Sequence, residues 1–275
     1  MNLQEFHKNA IQGEATVKQP VVFIGHGDPM NALRNNAFTQ SLNVLGTSLK
    51  SIEAPKAILC VSAHWLTKGT WVNNAAVQPT IHDFGGFPQE LFDVQYPAAG
   101  APDVAAQAAA LLSESQLTTD WGLDHGAWTV LRHVFPEANI PVFQMSIDYY
   151  RGMDYHMELA AKLKELRNKG VLIVGSGNVV HNLQKSFEKM SAGDATPYDW
   201  AIEFDTWVKD KIQNCDWADL ATYNNTAAGM LSVPTPDHYA PLMYVMGLAD
   251  KEESIDTFYE SVEYGGLSMR SFRIG

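Results

Sequence analysis

The sequence is poor in cysteine and in positive charge. Only two of its 275 residues are cysteines, Cys60 and Cys215, which is too few for the disulfide framework of a small secreted protein. The 31 acidic residues outnumber the 19 Lys and Arg residues, so the net charge is −12 at pH 7. Because such a surface repels phosphate backbones and anionic lipids, we expect no nucleic acid and no membrane among the partners.

Long apolar runs are also lacking. No stretch approaches the roughly 20 apolar residues that span a bilayer, and Gln, Glu, His and Lys interrupt the first 20 residues, unlike a secretory signal. We therefore expect a cytoplasmic protein in which residues 1–20 form an N-terminal tail. Since no repeat or linker divides the chain, residues 1–275 are expected to form a single catalytic domain. Nothing in the sequence specifies the oligomeric state.

Short apolar runs predict four buried strands, at 21–24, 57–61, 141–147 and 171–174. The runs are continuous rather than alternating, as is typical of parallel strands covered on both faces. Helical patterns lie between or after them, at 103–112, 126–135, 153–168 and 199–213. This order predicts an α/β fold, a single domain with a mostly parallel central sheet flanked by helices.

Three of the nine histidines follow predicted strands. His26 and His64 come just after the first two strands, and His181 follows the fourth. Ligands of open parallel sheets bind outside the carboxyl ends of the strands, and converging imidazoles suit borderline metals such as Fe(II) and Zn(II). An isolated histidine is more often a structural, hydrogen-bonded residue, but three at equivalent positions predict a metal or acid–base site at this edge.

The other histidines include candidates for a functional site and residues with expected structural roles. His125 lies at a predicted helix start, and His238 lies in a proline-rich loop before another helix. His82 lies in the Gly-rich aromatic loop 80–88, which either closes over a pocket or packs its own aromatic rings. We expect structural roles for the rest, His7, His133 and His156. Zincin, Cys-x-x-Cys, Walker A and nucleophile-elbow motifs are all absent.

Six motifs, in order, resemble those of the 4,5-DOPA extradiol dioxygenase family. This is the small single-chain branch of the class III extradiol ring-cleaving dioxygenases, related to the catalytic subunit of protocatechuate 4,5-dioxygenase. The similarity runs from about Val21 to the end of the chain. The motifs are Gly25-His26-Gly27-Asp28-Pro29, Ser62-Ala63-His64-Trp65, the loop 80–88, Asp124-His125-Gly126-Ala127-Trp128, Ser176-Gly177-Asn178 with the following 179–183, and Pro234-Thr235-Pro236-Asp237-His238-Tyr239.

The resemblance implies one divalent metal per chain at the carboxyl edge of the strands. Fe(II) is expected for catalysis, with Zn(II) as an alternative occupant of the same site. By motif, His26, His64 and His238 match the metal ligands. His181 matches the acid–base catalyst and a further ligand where zinc is bound, and His125 matches a second catalytic histidine near the substrate. The related protocatechuate branch has a glutamate where this chain has His238.

The implied reaction inserts both atoms of O2 into a catechol (DOPA-like) ring and gives a hydroxymuconic semialdehyde. A small catechol and O2 are the expected partners, and His82, Asn178 and Trp65 are the expected substrate contacts. The residues alone leave two alternatives open. One is a zinc-dependent hydrolase that uses the same histidine pocket, and the other is a non-catalytic metal- or catechol-binding protein.

Overall fold

The computed structural model describes residues 17–275. In chain order its strands are β1 Val21–Gly25, β2 Ala57–Ser62, β3 Leu66–Thr67, β4 Thr70–Asn73, β5 Ser115–Thr118, β6 Val142–Gln144, β7 Ile147–Asp148, β8 Val171–Gly177, β9 Ile255–Tyr259, β10 Val262–Glu263, β11 Leu267–Ser268 and β12 Ser271–Ile274.

A six-stranded sheet with the order β6-β2-β8-β1-β12-β9 forms the centre of the molecule. Strands β6, β2, β8 and β1 are mutually parallel, whereas β12 and β9 add antiparallel to the edge beyond β1. Three small two-stranded pairs accompany it, β3 with β7, β4 with β5, and β10 with β11. The prediction of an α/β domain with a mostly parallel central sheet is therefore confirmed.

The helices, in chain order, are α1 Ala37–Ile52, α2 Gln89–Phe92, α3 Pro102–Leu111, α4 His125–Val134, α5 Met153–Ala161, α6 Lys164–Asn168, α7 Leu183–Ser191, α8 Asp199–Gln213, α9 Trp217–Leu220, α10 Ala227–Ser232 and α11 Ala240–Leu248. Two short 3-10 turns lie at Pro29–Ala32 and Tyr223–Asn225. Within residues 17–275, no helix is both long and apolar enough to cross a membrane.

Helices cover both faces of the sheet, which explains the continuous apolar pattern of its strands. In β1, Val21 and Phe23 join one core cluster, which includes residues of α5 and α11. Val22 and Ile24 join the other, which includes residues of α1 and α4. Because successive side chains of a strand point to opposite faces, both sets must be apolar when both faces are buried.

Two predicted elements are divided in the structure. The predicted strand 141–147 is split into β6 and β7, because the chain leaves the sheet after β6 and β7 pairs with β3 instead. The predicted helix 153–168 is split into α5 and α6 at residues 162–163. Helix α1 and the antiparallel strands β9 and β12 have no counterpart among the predicted elements. Most of the predicted tail 1–20, including His7, lies outside the described residues.

Candidate metal centre and substrate cavity

Five histidines meet at the carboxyl edge of the parallel strands, and we call them the histidine cluster. Three follow strands β1, β2 and β8, one is the first residue of α4, and one lies in the loop before α11. They are His26, His64, His181, His125 and His238. The fold thus brings the three strand-end histidines together with His125 and His238 at this edge of the sheet.

Glycine allows the strand ends to approach one another closely. Gly27 has a φ of +66°, a left-handed conformation that lets the chain turn immediately after His26. At Gly177, a Cβ atom would lie 2.2 Å from the carbonyl oxygen of His238. The His26 N–H also donates to the Gly177 carbonyl at 3.0 Å, and the Asn178 N–H donates to that of His238 at 2.8 Å. Backbone contacts thus bring the His26 and His238 segments together.

The imidazoles of the cluster are close enough to share a ligand. The Nε2 atoms of His26 and His64 are 3.2 Å apart, and ligand nitrogens of His26, His64 and His125 all lie within 4.8 Å of one another. The His238 ring centroid is 5.2 Å from that of His26 and 4.9 Å from that of His64. The His181 ring stacks on His238 with centroids 3.4 Å apart.

Hydrogen bonds at Nδ1 orient two of these rings. The Ser176 hydroxyl donates its single proton to the Gly126 carbonyl at 2.5 Å, so at 3.0 Å it accepts from His26 Nδ1. The Asp237 carboxylate likewise accepts from His238 Nδ1 at 2.8 Å. A proton on Nδ1 leaves the Nε2 lone pair of each ring free.

Asp83 lies between two members of the cluster. Its carboxylate accepts a hydrogen bond from the backbone N–H of His125 at 2.9 Å and lies 3.0 Å from His125 Nδ1 and 3.6 Å from His64 Nδ1. Burial opposes ionisation of this carboxyl group, but the hydrogen bond with His125 and the neighbouring histidines hold the pKa of Asp83 below its usual value. Asp83 is therefore an ionised group placed beside His125 Nδ1, with His64 Nδ1 somewhat farther away.

Burial lowers the pKa of four of the five imidazoles and keeps those four uncharged at neutral pH. It lowers the pKa of His64 to about 3 and that of His181 to about 4. Burial, followed by the charge that neighbouring imidazoles would carry, also places the pKa values of His26 and His238 well below the usual value. Neutral imidazoles with free lone pairs are the form that binds metal.

These features fit a divalent metal of the borderline class. Such a site needs several neutral nitrogens that converge, each oriented by a partner at its other ring nitrogen. The resemblance implies His26, His64 and His238 as the ligands, whereas the three nitrogens found within 4.8 Å of one another in residues 17–275 include His125 in place of His238. The rings of His125 and His238 both adjoin that of His64, so the cluster offers either of them as a third ligand.

The cluster forms the floor of a cavity of about 340 Å³. Helix α7 supplies much of one wall through Leu183, Phe187 and Met190, and we call these three residues the α7 wall. Other apolar or aromatic lining comes from Pro29, Phe87, Tyr264 and Leu267. The cavity thus joins a polar floor to an apolar wall, an arrangement common in sites for small aromatic molecules.

None of the three predicted substrate-contact residues lines this cavity. His82 Nε2 lies 3.0 Å from the backbone carbonyl oxygen of Val94, among aromatic rings. Asn178 is fully buried and donates to the backbone of Ser268. Trp65 is buried and stacks on another indole at 5.6 Å. These side chains are engaged elsewhere, so the geometry favours support of the surrounding fold over contact with a ligand.

Asp83 and the α7 wall were not among the site residues predicted from the sequence. Asp83 directly follows His82 in a loop already singled out, and its carboxylate is what reaches the cluster. The α7 wall had a usable signal as well, because Leu183, Phe187 and Met190 recur at the spacing of one helix face. Which surface that face covers depends on the tertiary fold.

Comparison with known proteins shows which family this chain belongs to. Residues 19–271 match the family described as the catalytic LigB subunit of aromatic ring-opening dioxygenase. The chain is 44% identical over 270 residues to an Escherichia coli (strain K12) protein named 4,5-DOPA dioxygenase extradiol, covering 95% of this chain and 96% of that protein. A Beta vulgaris protein of the same name is 35% identical over 257 residues, covering 91% and 94%.

A solved structure is similar over nearly the whole chain. It belongs to an uncharacterized Escherichia coli K12 protein, with a TM-score of 0.80 and 40% identity, and the match covers 94% of this chain and 100% of that one. The chain therefore belongs to the LigB family of aromatic ring-opening dioxygenases. It is a ring-cleaving dioxygenase, a class that acts on a small molecule and O2, and the resemblance seen in its motifs is confirmed.

Proposed function

We propose that the enzyme cleaves the ring of a catechol beside its two hydroxyl groups, inserts both atoms of O2 and releases a hydroxymuconic semialdehyde. The observation that carries this proposal is the convergence of five histidines on the floor of an apolar cavity, in a chain of the ring-opening family. DOPA is the first catechol to test, because similar proteins are named for it.

The proposed cofactor is one Fe(II) per chain, with Zn(II) as an alternative occupant. His26 and His64 would hold it, together with His238 or His125. When bound, the metal would supply a Lewis acid that acidifies the catechol hydroxyls and a centre that activates O2. Support comes from the neutral state of His26, His64 and His238. It also comes from the groups that lie at Nδ1 of the cluster, which are Ser176, Asp83 and Asp237.

We assign acid–base catalysis to His181, with His125 as the second catalytic histidine. His181 lines the cavity and its imidazole is neutral, so it can accept a proton from a catechol hydroxyl and return it later in the reaction. Stacking on His238 and a backbone hydrogen bond to the Ser232 carbonyl at 2.8 Å hold it in place. His125 lines the same cavity on the side of Asp83.

The test is anaerobic loading with Fe(II), followed by admission of air in the presence of catechol, DOPA or other catechols. We expect one O2 consumed per catechol and a yellow semialdehyde product identified by mass spectrometry. A Zn(II)-loaded sample serves as the control and is expected to bind metal without consuming O2. No oxygen uptake across the panel, or ester hydrolysis by the Zn(II) form, would contradict the proposal.

We also propose that the protein works in the cytoplasm. Within the described residues Cys60 and Cys215 are both free thiols, as a reducing compartment favours. Fractionation of the producing cells checks this proposal, and recovery of the protein outside the cytoplasmic fraction would contradict it.

A further inference from the structure

Helix α7 is amphipathic, but its apolar face is not packed on the core. Ser186 is the one buried residue of this fully described helix. Leu183, Phe187 and Met190 are respectively 47%, 59% and 50% exposed, although they line the cavity. A surface helix ordinarily turns its apolar stripe to the core. Exposed apolar patches mark ligand-binding grooves or interfaces with other molecules, and this one lines the cavity above the histidine cluster.

The cavity surface away from α7 is apolar or aromatic as well. Phe87 packs edge-to-face on Phe84, with ring centroids 5.3 Å apart, and Leu267 is almost fully buried beneath the cavity. Pro29 and the Tyr264 ring add further apolar surface. A ring substituent that extends away from the histidine cluster would therefore meet carbon atoms on several sides.

Asp28 is the one carboxylate of the cavity lining in the described part of the chain, and its oxygens already have partners. Oδ1 accepts from the Met30 N–H at 2.8 Å. Oδ2 accepts from Arg34 Nη2 at 2.8 Å and from the Tyr264 hydroxyl at 3.3 Å. The nearby Arg34 cation is thus neutralised by Asp28, and it does not itself line the cavity.

The lining offers no basic side chain either, since no lysine or arginine of residues 17–275 belongs to it. If the ring substituent of the catechol were an amino-acid group, as in DOPA, its carboxylate would find no free cation in this lining. Its ammonium group would have to compete with Arg34 for Asp28. A charged group that loses water without gaining a partner is strongly disfavoured. An alkyl or aryl group, in contrast, gains from the burial of its own surface and that of the α7 wall.

We infer that the preferred substrate is a catechol with an uncharged, apolar ring substituent that packs on Leu183, Phe187 and Met190. This inference rests on the proposed function and narrows its substrate class. DOPA, which carries both an ammonium and a carboxylate group, is then a poor member of that class. The α7 wall determines specificity, and the histidine cluster carries out the chemistry.

The first experiment measures kcat/KM of the Fe(II) enzyme for catechol and for 4-methyl-, 4-propyl- and 4-butylcatechol, with dopamine and DOPA beside them. 4-Propylcatechol and dopamine form a matched pair, because a methyl group replaces the ammonium group. We expect kcat/KM to rise about two- to fourfold per added methylene, and 4-propylcatechol to exceed dopamine and DOPA by about tenfold or more. Equal or better cleavage of DOPA overturns the inference and leaves the proposed function standing.

Anaerobic calorimetry with the metal-loaded protein supplies a second readout that needs no turnover. The Kd values are expected to fall in the same order along the alkyl series and to be weakest for DOPA. Equal Kd values along the series overturn the inference. An ordered series of Kd values without any ring cleavage in air supports recognition of apolar substituents by the α7 wall and contradicts the proposed function, so the two failures are distinguishable.

A pair of variants on α7 tests the residues themselves. Phe187→Ser is expected to lower the ratio of kcat/KM for 4-butylcatechol to that for catechol about five- to tenfold, because apolar contact is lost. Gln184→Ser is the matched control, since Gln184 is exposed on the same helix and does not line the cavity. A ratio in Phe187→Ser equal to that in Gln184→Ser overturns the role of this wall.

Discussion

The histidine cluster and the α7 wall face the same cavity but are built in opposite ways. In the cluster, His26, His125 and His238 are almost fully buried, and Ser176, Asp83 and Asp237 lie at their Nδ1 atoms. In the α7 wall, three apolar side chains are about half exposed. A fixed polar constellation suits chemistry that requires defined geometry, whereas a loosely packed apolar surface can fit different substituents.

This difference predicts how each region responds to substitution. Changes in the cluster should lower turnover of every substrate, because they alter the metal or the groups that move protons. Changes in the α7 wall should alter the ratio between substrates while the folded protein and its metal persist.

The largest effect is expected for His64→Ala. His64 contacts His26 and adjoins both candidates for a third ligand, so its removal should abolish stoichiometric metal binding. Oxygen uptake should fall by more than about 100-fold, because loss of a ligand exceeds the 10- to 100-fold cost of losing a group that orients one. Metal analysis after gel filtration and an oxygen electrode give the two readouts.

His133→Ala is the matched control, because His133 lies on α4 and contacts the backbone carbonyl of Asn31 outside the cluster. It should retain its metal. Full metal occupancy in His64→Ala would show that His64 is not a metal ligand. It would also contradict the expected difference between the histidine cluster and the α7 wall.

The next largest effect separates catalysis from metal binding. His181→Ala should keep its metal and lose about 10²- to 10⁴-fold in kcat, the usual contribution of a positioned acid–base group. Metal content and kcat are measured on the same preparation. Metal loss equal to that of His64→Ala would make His181 a ligand in its own right.

The sequence predicted the floor of the cavity better than its wall. His26 and His64 were found because a buried strand has a strong local pattern and its end is a defined place in an open sheet. Strands β9 and β12 were not predicted, because β12 pairs with β1 from the distant beginning of the chain and β9 is a partly exposed edge strand. Such pairing leaves little trace in a short window of sequence.

Asp83 and the apolar lining of the cavity were not predicted, for a related reason. In the irregular loop around residue 83, neighbouring side chains point into different surroundings. His82 packs among aromatic rings, whereas the Asp83 carboxylate reaches the histidine cluster. Side-chain direction in a loop is set by tertiary contacts. The spacing of Leu183 and Phe187 likewise predicts a helix face without showing whether core or cavity lies beside it.

A moderate effect is expected for Asp83→Asn, which removes the charge and preserves the shape. The amide oxygen can still accept from the His125 N–H, but the ionised partner beside His125 Nδ1 and His64 Nδ1 is lost. We expect about a 10- to 100-fold loss in metal affinity or kcat, as for other orienting partners of metal-site histidines.

Metal titration and kcat values for two catechols check the effect of Asp83→Asn, and both substrates should lose the same factor. Asp93→Asn is the control, since Asp93 is an exposed acid of the same region that pairs with Gln89. A loss confined to one substrate would show that Asp83 affects substrate specificity, and it would contradict a role for Asp83 in orienting the imidazoles of the histidine cluster.

The smallest effect is expected for the stability of an α7-wall variant. Met190 is about half exposed, so Met190→Gln should change the free energy of unfolding by less than about 0.5 kcal/mol. Leu172→Ala is the comparison, because Leu172 is fully buried in the central sheet and its truncation should cost about 2–5 kcal/mol. Urea unfolding of the metal-loaded proteins measures both. If Met190→Gln were destabilised as much as Leu172→Ala, the apolar face of α7 would be part of the core, and the contrast between a rigid floor and a ligand-facing wall would fail.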